Sequence, residues 1–218
     1  MKVGIVGSGP VGQALGIGFA KEGHQVKLGT RKPDDAKISQ WLKQAGANAS
    51  AGTFGDAARF GELAVLATRW EDGATENAVK LADPKNLMGK VVIDTTNPLT
   101  FGPKGPAGLS VGLTDSAGEH VQRWLPGAKV VKAFNTVNYA FMYKPQLPGG
   151  PPEMFICGDD AKARQTVADI CRKFGWLVTD IGGIAGARVL EPLALLYCII
   201  AVQSGSWNLA WKLLRPKG

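Results

Sequence analysis

The sequence predicts an α/β fold, a doubly wound and mostly parallel sheet with a small C-terminal helical extension. Three observations carry that expectation. Short β-rich runs alternate with longer helical patterns from the first residue, which is the rhythm of βαβ units. Most of the runs are continuously apolar rather than alternating, as strands covered on both faces are. A glycine-rich turn, Gly7-Ser8-Gly9-Pro10-Val11-Gly12, stands directly between the first strand and the first helix.

In chain order, strands are expected over residues 2–6 and 25–29, weakly near Asn48, and over 63–68, 91–95 and 129–134. Helices are expected over 10–21, 34–45, 54–60, 71–81 and 116–124, on both faces of the sheet if the crossovers are right-handed. Asp34 and Asp35, just after Pro33, suit the start of a helix, where the dipole favours negative charge. A further βαβ-like piece follows, with strands at 154–157 and 176–180 around a helix at 160–174. The chain then closes with a helical segment over 187–214, broken near 204–206. The Gly/Pro-rich stretches 101–112 and 145–152 read as irregular loops, either rims of a functional cleft or solvated surface.

Composition narrows the function classes. At 218 residues, with 45% hydrophobic and 20% charged, the chain suits one generous folded domain and neither a disordered nor a fibrous class. A net charge of +7 is spread without runs, which favours phosphorylated small molecules over nucleic acid as partners. Cys157, Cys171 and Cys198 are isolated, without metal-ligand or disulfide spacing, and fit a reducing, cytoplasmic compartment. The first residues lead straight into an apolar strand, so no signal peptide is expected. The longest apolar stretch, 189–202, has 14 residues including Glu191 and Pro192, so a buried or interfacial helix is expected there and no membrane partner.

The glycine turn has the spacing of a dinucleotide-binding Rossmann fingerprint in the right context. Gly7 permits the tight turn, Gly9 lets the backbone approach a pyrophosphate, and Gly12 lets the helix pack against the strand. Pro10 fits the first helical turn, where its missing N–H would have had no partner. The N-terminus of the helix then offers free N–H groups and a positive dipole end to phosphate. A glycine-rich turn without a ligand is the alternative.

The second strand decides which dinucleotide. NAD-binding versions place a carboxylate at its end for the ribose 2′-OH. Here it ends in Thr30-Arg31-Lys32, with two cations where the acid would stand, so NADP is expected. Arg31 can grip or stack on the 2′-phosphate end, Thr30 can donate a hydroxyl and Lys32 adds charge. Residues 1–182 therefore read as an NADP-binding domain and 183–218 as a helical segment that packs on a second copy, a homodimer.

With these motifs in hand, the sequence resembles the NADPH-dependent oxidoreductases of coenzyme F420, a deazaflavin hydride carrier, and the related dinucleotide domains of six-transmembrane metalloreductases. The likeness runs through residues 7–12, 29–31, 65–70, 92–98, 132–136, 157–160 and 188–193. It implies that Thr68, Arg69 and Trp70 border the adenosine and pyrophosphate, that Asn97 and Pro98 lie close to the nicotinamide, and that Asn135 and Thr136 stand where a second substrate enters. Members that use the deazaflavin often carry a histidine after the sixth strand; residues 134–139 have none.

The function expected is hydride transfer between NADPH and a small-molecule acceptor, coenzyme F420 or a flavin such as FMN. The acceptor would stack in a cleft bordered by Ser8, Asn97, Pro98, Asn135 and Thr136, with Phe134, Val137 and Leu99 excluding water. The alternatives are reduction of a small carbonyl, imine or ferric-flavin substrate, and a non-catalytic NADPH sensor. His24 and His120 read as surface residues, and no acid–base group is evident. Hydride transfer between two cofactors tolerates that lack, because positioning is the protein's main contribution.

Overall fold

The apolar runs become the strands of one parallel sheet. In the computed structural model, which describes residues 1–214 and 216, the strands are β1 (Lys2–Val6), β2 (Gln25–Gly29), β3 (Ala49–Gly52), β4 (Leu63–Leu66), β5 (Val91–Asp94), β6 (Leu99–Gly102), β7 (Gly105–Leu109), β8 (Lys129–Lys132), β9 (Glu153–Ile156) and β10 (Leu177–Asp180). Six of them pair side by side, all parallel, in the order β3-β2-β1-β4-β5-β8. The order reverses direction between β1 and β4, and ligands of such sheets bind at that switch, off the carboxyl ends of the strands.

The helices are α1 (Pro10–Lys21), α2 (Ala36–Ala45), α3 (Phe54–Phe60), α4 (Ala74–Ala82), α5 (Ala117–Trp124), α6 (Ala161–Lys173) and α7 (Ala187–Ser204). Both faces of the sheet are covered, which is why the interiors of its strands are mostly apolar. Val3, Ile5, Leu28, Val65, Ile93 and Val131 join Leu15, Phe19, Trp41, Val167 and Phe174 in one core. Val6, Ala64, Leu66, Val92 and Val130 join Ala58, Val79, Val121 and Leu190 in the other. Burying each large apolar side chain contributes about 1.5–3 kcal/mol. Asp35 caps α2 by accepting from Lys37 N–H at 2.8 Å, the role its acidity suggested.

Several boundaries differ from the sequence reading. The stretch 101–112 is not wholly irregular, because β6 and β7 pair as an antiparallel hairpin. Its glycines and prolines mask the strand pattern, yet Gly105 at φ +113° supplies the turn. The helix expected over 71–81 begins as a 3₁₀ turn, Glu71–Gly73, since Asp72 and Gly73 both have positive φ. The βαβ-like piece forms its own two-stranded parallel sheet, joined to β8 through an antiparallel bridge between Lys132 and Cys157.

The closing segment is also corrected. Helix α7 ends at Ser204, capped by Gly205 in the left-handed region, and residues 206–214 have no regular structure. The Ser204 and Ser206 hydroxyls bond to nearby backbone, which competes with helix continuation. Residues 215, 217 and 218 of the proposed 183–218 segment lie outside the described residues. Segment Ile184–Ser204 has 21 residues, with an 18-residue window at a mean hydropathy of 1.7, so it is longer than the 14-residue apolar stretch and by length and composition alone could cross a membrane, a test that a core helix also passes. Its inner face is committed to the fold through Leu190, Glu191, Ala194, Tyr197 and Ala201, all buried.

Candidate functional site

The glycine turn has the geometry that its spacing predicts. Gly7 has φ +128°, and a Cβ there would lie 2.2 Å from the Ala67 carbonyl oxygen. A Cβ on Gly12 would lie 2.0 Å from the Gly7 carbonyl oxygen, so α1 packs onto the turn only because that side chain is absent. Gly9 is different. It is exposed, and a Cβ there would meet nothing within 4 Å. The open space in front of it is where a pyrophosphate would approach. No side chain caps the start of α1, Pro10 occupies its first turn and no acidic residue stands there, so the amides of Val11 and Gly12 fit an anionic dinucleotide.

At the end of β2, Arg31 and Lys32 are exposed and Thr30 is buried. The Thr30 hydroxyl accepts from Ser8 Oγ at 3.1 Å and from Lys32 N–H at 3.3 Å. It thereby ties the glycine turn to the basic turn and fixes the spacing between a pyrophosphate site and a 2′-phosphate site. The side-chain amide of Gln13 donates to the Ser8 carbonyl at 2.9 Å and holds the same loop from the helix side.

After β4, Thr68 Oγ1 donates to Thr75 Oγ1 at 3.0 Å, and the Thr75 hydroxyl donates to the Arg69 carbonyl at 2.8 Å. Arg69 extends outward, 3.6 Å from Glu71. Trp70 stacks on Trp124 with ring centres 5.5 Å apart, and His120 packs edge-on against both. His120 is therefore half-buried and 3.1 Å from Asp115, not a free surface residue. His24 is likewise half-buried, packed against Phe19. Trp70, Gly73, Leu99, Phe101 and Ser110 line a cleft of about 460 Å³ between this loop and the β6–β7 hairpin.

The loops after β5 and β8 are joined directly. Asn97 Nδ2 donates to the Asn135 carbonyl at 2.7 Å, and Asn135 Nδ2 donates to Asn97 Oδ1 at 3.0 Å. Asn135 Nδ2 also donates to the Leu190 carbonyl of α7 at 3.0 Å, which sets the orientation of its amide. Its Oδ1 is buried without a partner among the described residues. Pro98 and Thr136 are buried beside this pair. Just before Asn135, Phe134 has φ +60°, a conformation costly for a bulky residue and concentrated at functional sites. That turn sends the Phe134 side chain into the core against Phe174, so Phe134, fully buried, does not line the cleft. Val137 also belongs to that core, while Leu99 alone of the three borders open space.

Beneath the two loops lies a group that the sequence reading missed. Lys132, at the end of β8, is fully buried, donates to the Thr96 carbonyl at 2.6 Å and forms ion pairs with Asp94 at 2.8 Å and Glu191 at 3.0 Å. Desolvation pulls the ammonium's pKa down, but the Asp94 and Glu191 carboxylates outweigh it and hold it above the ordinary lysine value. Asp94 Oδ1 in turn accepts from the Thr96 N–H and hydroxyl at 2.9 and 2.7 Å. The available signal was a single charge inside each of three apolar runs, since a charge that must be buried must also be paired. The cysteines add no reactive group here. Cys157 is buried, and desolvation pushes its thiol up to about 12.

Comparison with known proteins agrees with this geometry. Residues 2–98 match the family described as NADP oxidoreductase, coenzyme F420-dependent. The crystal structure of a candidate F420-dependent NADP reductase from Arthrobacter sp. FB24 superposes with a TM-score of 0.91 at 36% identity, covering 99% of this chain and 100% of that one. The F420-dependent NADP reductase of Methanothermobacter thermautotrophicus is 28% identical over 215 residues, 94% of this chain and 90% of that protein. Metalloreductase STEAP3 of Rattus norvegicus is 30% identical over 199 residues, and there the match spans 37% of the relative's length. With the switch-point sheet, the glycine cradle and the basic end of β2, these likenesses place the chain in the coenzyme F420-dependent NADP oxidoreductase family, and so among the NADP-dependent oxidoreductases.

Proposed function

We propose that this chain transfers a hydride between NADPH and a planar acceptor of the deazaflavin or flavin class, coenzyme F420 first and FMN second. The observation that carries the reading is the reciprocal Asn97–Asn135 pair, which locks the loops after β5 and β8 together at the carboxyl edge of the sheet. When bound, NADPH supplies the hydride from its nicotinamide ring and leaves as NADP⁺. The chain's own work is positional. Gly7, Ser8, Gly9, Pro10, Val11 and Gly12 hold the pyrophosphate, Thr30, Arg31 and Lys32 set the adenosine end, and Thr68, Arg69 and Trp70 border it. Asn97, half-buried, borders the reacting rings, and Pro98, Asn135 and Thr136, buried behind it, back that wall. Preorganised loops of this kind replace much of the entropy that two free reactants would lose.

Kinetics with NADPH deuterated on one or the other face of its nicotinamide, offered F420 and FMN, test this directly. Label from one face is expected to stay on the F420 ring, which accepts the hydride at carbon; FMN accepts it at an exchangeable nitrogen, so there a primary isotope effect from that same face is expected. Binding without turnover would replace the reading with that of an NADPH sensor, and turnover that loses the label to water with F420 as well would exclude direct transfer.

The proposal includes a homodimer built on α7, in the cytoplasm, with the acceptor as the small-molecule partner and no nucleic acid or membrane required. Val189, Leu196, Ile200 and Val202 are large apolar residues left exposed on this helix. A two-fold contact is the commonest way to cover such a face. Sedimentation at micromolar concentration is expected to give a dimer, and Leu196→Glu to give a monomer; a monomeric parent chain would remove the dimer from the proposal.

A further inference from the structure

We infer that Lys132 and Glu191 are positioning residues for hydride transfer, acting through the Thr96 carbonyl to hold the Asn97–Pro98 loop in its productive place. The inference rests on the reaction proposed above and concerns groups that touch neither cofactor nor acceptor.

The argument begins with how complete the network is. Three buried oxygens surround the Lys132 ammonium within 3.0 Å, the Thr96 carbonyl through a hydrogen bond and the Asp94 and Glu191 carboxylates through ion pairs, and none of these side chains is more than 1% exposed. Glu191 is matched as well. Its Oε2 accepts from Ala117 N–H at 3.0 Å and its Oε1, the oxygen that Lys132 reaches, also accepts from Gly118 N–H at 2.9 Å, so the first turn of α5 holds both oxygens of the carboxylate. Asp94 spends one oxygen on Lys132 and the other on both donors of Thr96. Thr96 is thus gripped at its N–H, its hydroxyl and its carbonyl by two charged side chains.

A surplus of buried charge on one residue is unexpected if folding alone were served. An apolar set of similar volume usually stabilises a core as well as a buried ion pair or better. What the charges provide is direction, since hydrogen bonds to ionised groups hold a backbone within narrow limits of distance and angle. Thr96 immediately precedes Asn97, whose side chain pairs with Asn135, and Asn135 bonds to the carbonyl of Leu190, the residue before Glu191. Two consecutive residues of α7 therefore hold both loops of the reacting cleft, one through the Leu190 carbonyl and one through the Glu191 carboxylate. Neither contact reaches the glycine turn or the basic end of β2.

That separation makes the inference testable. Glu191→Gln keeps the volume and removes the charge. It is expected to lower kcat at saturating NADPH roughly ten- to a hundredfold, the scale of a misplacement near one ångström, and to leave the NADPH Kd within about threefold. Lys132→Met should act in the same direction and more strongly. Glu119→Gln is the control. Glu119 also links α5 to α7, through Arg188 at 2.5 and 2.9 Å, and bonds to Ser116 at 2.7 Å, but it makes no direct contact with Lys132, Asp94, Glu191 or Thr96 among the described residues. It should lower Tm without changing kcat per folded molecule.

The fluorescence emission of bound NADPH supplies a second readout that needs no acceptor. It should shift in Glu191→Gln and not in Glu119→Gln. Equal kcat and emission for Glu191→Gln and the parent chain would overturn the inference, as would losses that merely follow the fraction unfolded. A parent chain that oxidises no NADPH would instead overturn the proposed reaction, and the emission shift would still decide the role of the network.

Discussion

Gly9→Val is expected to abolish NADPH binding while the chain stays folded. The backbone at Gly9, φ −71° and ψ 178°, is extended and open to any residue, and its Cβ direction points into empty space. Valine is therefore accommodated by the protein, but its two methyl groups fill the volume that the pyrophosphate needs beside the start of α1. A loss of at least about a hundredfold in affinity, about 2.7 kcal/mol, is expected in titrations followed by NADPH fluorescence. The far-ultraviolet circular dichroism and the Tm should stay near those of the parent. Gly12→Val makes the contrast, because its Cβ would collide with the Gly7 carbonyl at 2.0 Å and must destabilise the fold itself. Unchanged affinity in a folded Gly9→Val would show that the turn is not the phosphate cradle.

Arg31→Ala is expected to weaken NADPH binding roughly ten- to a hundredfold and to leave NADH nearly unchanged. A hydrogen bond to a charged group contributes about 1.5–3 kcal/mol, which sets that range. Arg31 is exposed at the end of β2, beside the buried Thr30 that anchors the turn to Ser8. Truncating it removes a phosphate partner without disturbing the anchor. Isothermal titration with both cofactors separates the cases, and equal losses for NADPH and NADH would assign Arg31 to general attraction rather than to the 2′-phosphate.

The parts of the molecule legible in its sequence are those governed by local chemistry. The apolar strands around Val3, Val65 and Val92 announce a sheet covered on both faces, and Gly7, Gly9 and Gly12 announce a turn whose three positions need three different things of a missing side chain. Long-range pairing was not legible. Lys132, Asp94 and Glu191 each look like an isolated charge, and only the fold brings residues from β8, β5 and α7 within 3.0 Å. Phe134 gives no local hint of a left-handed backbone, because the favourable term is its burial against Phe174 rather than any turn preference of its own. The β6–β7 hairpin was hidden for the opposite reason. Its residues are those of a loop, and its pairing is secured by tertiary contact, with Gly105 close to Val202 of α7.

The irregular tail after α7 has a consequence for how the molecule behaves in a crowded solution. Strand β9 pairs with β10 along one side, while on its other side it meets β8 through the Lys132–Cys157 bridge. At the open end of that side the Glu153 N–H points outward, and the Trp211 carbonyl accepts from it at 2.8 Å. Tyr197 holds the start of the same tail through the Trp207 carbonyl at 2.9 Å. Unpaired strand edges are templates for a neighbour's backbone and hence for aggregation. The Trp211 carbonyl occupies one such position, so residues without regular structure sit where a neighbour's strand would otherwise pair.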